Sequence, residues 1–243
     1  MPAFAGFDAY QYPGDETMDW LKANTNLVWC GYYLAPSPSQ TKDTSWMGKQ
    51  AYLAGAGWGI APVYVGQQVI SPGSLNPSTD TGQTDGAQAA GYMSSEGFPT
   101  GSYVYLDLEN GPPLTDAQKD YVVAWSAAVS AGGYKPGVYC SHLLAAEVSE
   151  LLQGLRIWTF KVSSTPPPMS NPYPELDPVG SGFSTAHVWQ HVQNCSIPAA
   201  SSTMHVDMNS AMAADPGAPD VATPDASGTE VASVPSASSV SSS

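Results

Sequence analysis

Two carboxylates stand two residues apart in the stretch Ser102-Tyr103-Val104-Tyr105-Leu106-Asp107-Leu108-Glu109-Asn110-Gly111-Pro112-Pro113. Its first half mixes aromatic and aliphatic side chains in a strand pattern, and Asn-Gly-Pro-Pro stops it abruptly. Side chains alternate faces along a strand. Tyr103, Tyr105, Asp107 and Glu109 therefore point one way, and Val104, Leu106 and Leu108 the other. Residues i and i+2 lie roughly 6.5–7 Å apart on such a face. Two ionised carboxylates about 6 Å apart, at an effective dielectric of about 20, repel by roughly 2.8 kcal/mol, or about two pKa units. One of them should hold its proton to higher pH than a free side chain does. A carboxylic acid beside a carboxylate is the equipment for cleaving a glycosidic bond. The same two residues also suit a turn cap and a solvated strand end, so the rest of the chain has to decide.

The flanking chain reads as short strands alternating with helices. Strands are expected at 4–8, 27–33, 58–65, 102–109, 137–140, 156–162, 187–192 and 204–208, and helices near 15–24, 45–56, 82–96, 116–131 and 142–153. Asp15 looks like the N-cap of the first helix, and Thr115 with Gln118 forms a capping-box signature for the fourth. A loop over 66–81 and an irregular run around Pro166-Pro167-Pro168 carry no regular pattern. Eight strands with about five helices predict an α/β fold, a single (β/α)8 barrel whose later helices are degenerate. A doubly wound open sheet is the structural alternative, but no GxGxxG follows the first strand. The barrel is expected over 1–212. Residues 213–243 are rich in Ser, Ala, Pro and Val with four acids and no base, which predicts a disordered acidic tail.

Composition narrows the partners. The chain has 243 residues, 42% of them hydrophobic and only 12% charged, with 13 Tyr and 7 Trp, which suits a large core and aromatic-lined clefts. A net charge of −14 repels nucleic acid and anionic membranes. No apolar run reaches the ~18 residues of a membrane span. The N-terminus shows neither the basic nor the hydrophobic region of a secretory signal, and nothing in the chain assigns a compartment. Cys30, Cys140 and Cys195 form no CxxC pair, so no disulfide framework is expected. Cys30 and Cys140 read as small buried hydrophobes.

In a barrel, active sites lie at the C-terminal ends of the strands. Asp8 ends the first strand, Asp107 and Glu109 the fourth, and Asp207 lies near the end of the eighth. Closure makes the first and eighth strands neighbours, so all four acids should meet at one mouth. Tyr33, Tyr64, Tyr139, Trp158 and Trp189 are candidates to stack on sugar rings, and Gln190 to bind a sugar hydroxyl. Each also fits a barrel interior. A metal hydrolase using His191, His205, Asp207 and Asp8 is a second reading, without an HExxH spacing to support it. A serine nucleophile lacks its GxSxG elbow. The leading reading calls for no metal and no cofactor.

Gly6-Phe7-Asp8, Tyr105-Leu106-Asp107-Leu108-Glu109, Gly133-Tyr134-Lys135-Pro136-Gly137-Val138-Tyr139, Trp189-Gln190 and Val206-Asp207-Met208-Asn209 follow one another in this order. The set resembles the glycoside-hydrolase-like barrels called domain of unknown function 1906 and, more distantly, the family-25 glycoside hydrolases, muramidases that cut peptidoglycan. The resemblance covers roughly 4–212. It implies Glu109 as proton donor, Asp107 assisting or orienting an acetamido group, and Asp8 and Asp207 shaping the site. The muramidase pattern Asp-x-Ser-x-x-Gln stands here as Asp8-Ala9-Tyr10-Gln11. Retaining, inverting and acetamido-assisted routes all remain open, as does a non-catalytic cell-wall glycan-binding barrel.

Overall fold

The computed structural model describes residues 3–68, 76–162 and 169–220. Eight strands close into a barrel in chain order: β1 (Phe4–Asp8), β2 (Trp29–Tyr33), β3 (Gly59–Val65), β4 (Tyr103–Leu108), β5 (Lys135–Ser141), β6 (Arg156–Phe160), β7 (Ala186–Ala199) and β8 (Ser202–Ala211). The helices between them are α1 (Asp15–Asn24), α2 (Gln50–Gly55), α3 (Thr79–Ser95), α4 (Asp116–Ala131) and α5 (Ala145–Leu151). Among the described residues between β6 and β7 the one helical element is a 3-10 turn, Pro178–Ser181, in keeping with the expected fading of the later helices.

The barrel departs from eight parallel strands at its seam. β1 to β7 run parallel, whereas β8 is antiparallel to both β7 and β1. The cause is local. Only Ala200 and Ser201 join β7 to β8, with Ala200 at φ 31°, and a two-residue turn makes a hairpin where a parallel partner needs a long crossover. Asp207 is therefore not at the end of a strand leaving the C-terminal mouth. It lies within a strand that enters there, directly opposite Asp8 in the β1–β8 register.

Strand parity sorts the core into two layers. Trp29, Tyr103, Tyr105, Trp158, Val63 and Val188 fill the barrel, with Trp158 edge-on to Trp29 (5.5 Å) and Tyr105 (5.6 Å). Val104, Leu106, Phe7, Leu21, Leu53 and Trp125 pack between barrel and helices. Full burial of each such side chain contributes about 1.5–3 kcal/mol. The interior aromatics fit because glycines face them. A Cβ on Gly6 would come within 2.2 Å of the Trp29 ring, and one on Gly137 within 2.6 Å of Tyr105.

Helix ends follow their capping chemistry. Thr115 and Gln118 form the expected reciprocal box on α4. α3 begins earlier than expected because Ser78 and Thr81 form a second box inside what reads as loop. Asp15 is not the N-cap of α1. Gly14 occupies that position, and the Asp15 carboxylate accepts hydrogen bonds from Tyr12 and Lys49. The helices expected at 45–56 and 142–153 are shorter, as their bounds show. The run 166–168 and the middle of the 66–81 loop lie outside the described residues.

The boundary expected at 212/213 also moves. Residues 213–220 cross the N-terminal end of the barrel as an ordered strap, while 221–243 lie outside the described residues. Composition hides the reason, which is a row of donors at the barrel floor. Asp215 Oδ1 accepts from the Ile60 N–H (3.0 Å), and Gly217 O from the Tyr103 N–H (2.8 Å). Pro216 O accepts from Tyr105 Oη and from Arg156, both at 2.9 Å. Asp220 receives Lys135, Arg156 and the Tyr103 hydroxyl. A chain ending at Met212 leaves these donors without protein partners. Its thermal midpoint should fall at least ~5 °C below that of the full chain. Equal melting curves by circular dichroism would show that the strap adds nothing to the barrel.

Candidate active site

The interior faces of seven strands deliver the site. Asp8 ends β1, Tyr33 ends β2, and Val63 and Asp107 come from β3 and β4. Tyr139 and Trp158 come from β5 and β6, and Asp207 from β8. With Glu109, one residue beyond β4, these side chains line a small pocket of about 40 Å³ at the C-terminal mouth. Trp158 and Tyr139 meet edge to face at 5.4 Å and make its floor. A second depression of about 290 Å³ shares Asp8, Tyr33 and Asp207 and adds Tyr10, Asn194 and His205. The pocket thus opens toward the β1–α1 loop and the β7–β8 hairpin.

Hydrogen bonds divide the four carboxyls into two kinds. Asp8 and Asp207 have both oxygens engaged. Asp8 accepts from Tyr33 Oη and from Asn209 Nδ2, each at 2.7 Å. Asp207 accepts from Gln190 Nε2 (2.7 Å) and from the backbone N–H of Asn194 (2.6 Å). Asn194 reaches that position because β7 bulges between Val192 and Cys195 and puts it at φ 51°, a conformation asparagine tolerates. Asp107 is buried and, among the described residues, receives only a long 3.5 Å contact from Gln68 Nε2. Glu109 is exposed at the rim, and among the described residues no donor reaches its carboxyl.

Crowding and burial push all four toward the protonated form. Burial, then Glu109 and Asp8, hold Asp107 well above the usual carboxylate range. Burial and the charge of Asp207 raise Asp8 to about 7 against the opposing bonds from Tyr33 and Asn209. Burial raises Glu109 as well. It also raises Asp207, although Asn194 and Gln190 counter it. Such a cluster keeps acid and base forms together near neutral pH, and its titrations belong to the group rather than to single residues.

All four acids expected at the mouth converge there. Of the expected sugar-facing groups, Tyr33, Tyr139 and Trp158 line the pocket. Gln190 sits just behind, donating to Asp207 and accepting from the Tyr139 hydroxyl. Two rings are elsewhere. Tyr64 points outward from β3 against Trp125, its hydroxyl on Gln88 (2.6 Å). Trp189 points outward from β7, donating to the Lys161 carbonyl. Of the residues considered as metal ligands, His205 shares the outer depression with Asp8 and Asp207, whereas His191 does not. His191 faces away from the acids, bonded to Ser210 Oγ and held neutral by burial at a pKa of about 4. Among the described residues no group of three or more His, Cys, Asp or Glu could hold an ion. Three contributors escape motif reading: Asn209 and Asn194, which hold Asp8 and Asp207, and Gln68. Asn209 had a legible signal, since it stands two residues from Asp207 on the same face of β8.

Solved structures share this architecture at low sequence identity. The Mycobacterium tuberculosis Tat-secreted protein Rv2525c is 16% identical, with TM-score 0.57 over 88% of this chain and 96% of its own. The Clostridium perfringens spore cortex lytic enzyme SleM is 14% identical, with TM-score 0.60 over 86% and 67%. The modular autolysin LytC of Streptococcus pneumoniae, solved with a synthetic peptidoglycan ligand, is 13% identical, with TM-score 0.57 over 86% and 46%. No curated protein matches the sequence. No described helix is long and apolar enough to cross a membrane. A family model matches residues 19–211, and on that ground the chain belongs to the Rv2525c-like, glycoside hydrolase-like domain family.

Proposed function

We propose that the protein is a glycosidase that cleaves peptidoglycan or a related N-acetylated glycan. The observation that carries the reading is the meeting of Asp8, Asp107, Glu109 and Asp207 on one aromatic-floored pocket. Kinship in fold to SleM and LytC supports the choice of polymer. Glu109 is the general acid. Of the four carboxyls it alone combines rim exposure with oxygens that no donor among the described residues reaches, so it can approach a glycosidic oxygen. Asp107, one strand-repeat deeper and mostly uncommitted, assists the departing bond or orients the substrate's acetamido group. Asp8 and Asp207 are held in place by their own hydrogen bonds and raise the proton affinity of the cluster. Tyr33 and Tyr139 offer hydroxyls and ring faces to the sugar. The competing reading is a glycan-binding barrel without hydrolysis.

Two outcomes test this. Purified peptidoglycan and chitin fragments incubated with the protein should yield new reducing ends by mass spectrometry. Glu109→Gln should lower that yield at least ~100-fold with an unchanged circular dichroism spectrum. Full activity in the variant removes the acid assignment, and binding without cleavage by the wild type favours the non-catalytic barrel.

The second outcome concerns stability. Asp8 binds its proton more tightly folded than unfolded, so its contribution is most favourable at low pH. That contribution is lost as pH rises from the ordinary aspartate range toward 7. Asp8→Asn cannot ionise. Its melting temperature relative to wild type should rise by roughly 4 °C or more between pH 5 and pH 7.5. Comparing variant with wild type cancels the opposite trend from the buried His191. A constant difference across that window would mean that Asp8 is ionised throughout.

A further inference from the structure

We propose that Gln68 is a positioning residue that carries strand geometry past the end of β4 and so aims Glu109 into the pocket. The β3–β4 ladder stops at Val65 opposite Asp107, two residues short of Glu109. Beyond that point the Gln68 side-chain amide takes over. Its Nε2 donates to the Asp107 carbonyl (2.7 Å), and its Oε1 accepts from the Glu109 N–H (3.1 Å). In a parallel pair, one residue bonds to the C=O before and the N–H after the residue it faces. The primary amide of Gln68 reproduces that rung opposite Leu108. Glu109 lies outside β4 yet keeps the alternation that puts it on the same side as Asp107.

The amide is itself held. The Gln68 N–H donates to Ser39 Oγ (3.4 Å), which donates in turn to the Gly66 carbonyl (2.7 Å). The neighbouring Gln67 is buried and tied outward. Its Nε2 donates to Asp85 on α3 (2.7 Å), and its N–H donates to Tyr121 Oη on α4 (3.3 Å). Tyr121 closes the loop by donating to the same Asp85 oxygen (2.9 Å). Gly66 lets the segment lie this close to β4, because a Cβ there would sit 2.6 Å from Leu106 Cδ1. Gln67 thus anchors the segment to the helical layer while Gln68 reaches inward. Outer packing is linked to the carboxyl at the rim.

The role in turnover rests on the glycosidase reading, whereas the brace itself does not, and the test separates them. Gln68→Met in the full chain keeps side-chain length and removes both bonds. On purified peptidoglycan, kcat should fall ~10–100-fold with KM within about twofold of wild type. The limb of the pH–rate profile set by the acid should also shift. By NMR, the Glu109 amide should exchange at least ~10-fold faster while the Val104 and Leu106 amides keep their protection. Gln68→Glu retains an acceptor for the Glu109 N–H and should keep that amide within about threefold of the wild-type exchange rate. If the wild type proves inert, the glycosidase reading fails alone and amide exchange still decides. Wild-type kcat in an active protein, or unchanged Glu109 exchange in Gln68→Met, overturns the proposal.

Discussion

The site depends on a solid floor beneath the acids. Trp158, packed edge-on against Trp29, Tyr105 and Tyr139, fills the barrel at the level where four carboxyls meet. Burial over that floor is the first cause that lifts their proton affinities. Trp158 also acts through its one polar atom. The indole Nε1–H donates to Asn209 Oδ1 at 3.0 Å, which fixes which end of the asparagine amide faces the tryptophan. The other end donates to Asp8 at 2.7 Å. A buried ring therefore sets both the dielectric around Asp8 and the direction of its hydrogen bond. The same amide nitrogen donates to the Asp207 carbonyl at 3.0 Å, so the indole donor and two acceptors agree on one orientation of the amide.

Reversing one strand makes that arrangement possible. In a ring of eight parallel strands, the C-terminal mouth receives strand ends and the loops beyond them. Here β8 enters at the mouth, so two of its interior positions, Asp207 and Asn209, sit at the level of Asp8 and just below it. One strand then supplies both a carboxyl and the amide that orients a neighbouring carboxyl. The hairpin continues past the barrel rim as Cys195 to Ala199 pair with Val206 to Ser202, extending one wall of the depression that contains His205. The same antiparallel choice leaves the floor of the barrel without a final helix, and the strap of residues 213–220 covers it instead.

Much of this was legible in the chain, for reasons that also explain the misses. Strand order, the capping box at Thr115 and the convergence of four acids follow from periodicity and barrel closure. Parity decides most of the rest. Asp107 shares a face with Tyr103 and Tyr105, which places it inside. The same test applied to β3 would have sent Tyr64 outward, since Ala61 and Val63 are the interior residues there. Gln190 and Val188 face in, so Trp189 between them faces out. The strap was hidden because Ala, Pro, Gly and Asp read as disorder unless unpaired donors such as Tyr103 N–H and Arg156 are already known to wait for them. Gln68 was hidden for a related reason, because a side chain standing in for a backbone rung leaves no periodic trace.

The family match covers three of the four acids, Asp107, Glu109 and Asp207, but not the fourth. The family match begins at residue 19, so β1 and Asp8 lie outside it. What brings Asp8 to the site is local. β1 pairs with β8 so that Asp8 faces Asp207, and Gly31 makes room for it, since a Cβ there would come within 2.6 Å of Asp8 Cβ. Directly opposed strand residues hold their Cβ atoms about 4.5–5.5 Å apart. Two carboxyls at that spacing over an apolar floor cannot both ionise cheaply. Burial and repulsion therefore force protons onto the cluster. Even Asp8 and Asp207, whose oxygens are already engaged, shape the titration of the whole group, because a proton gained or lost by one changes the field felt by the others.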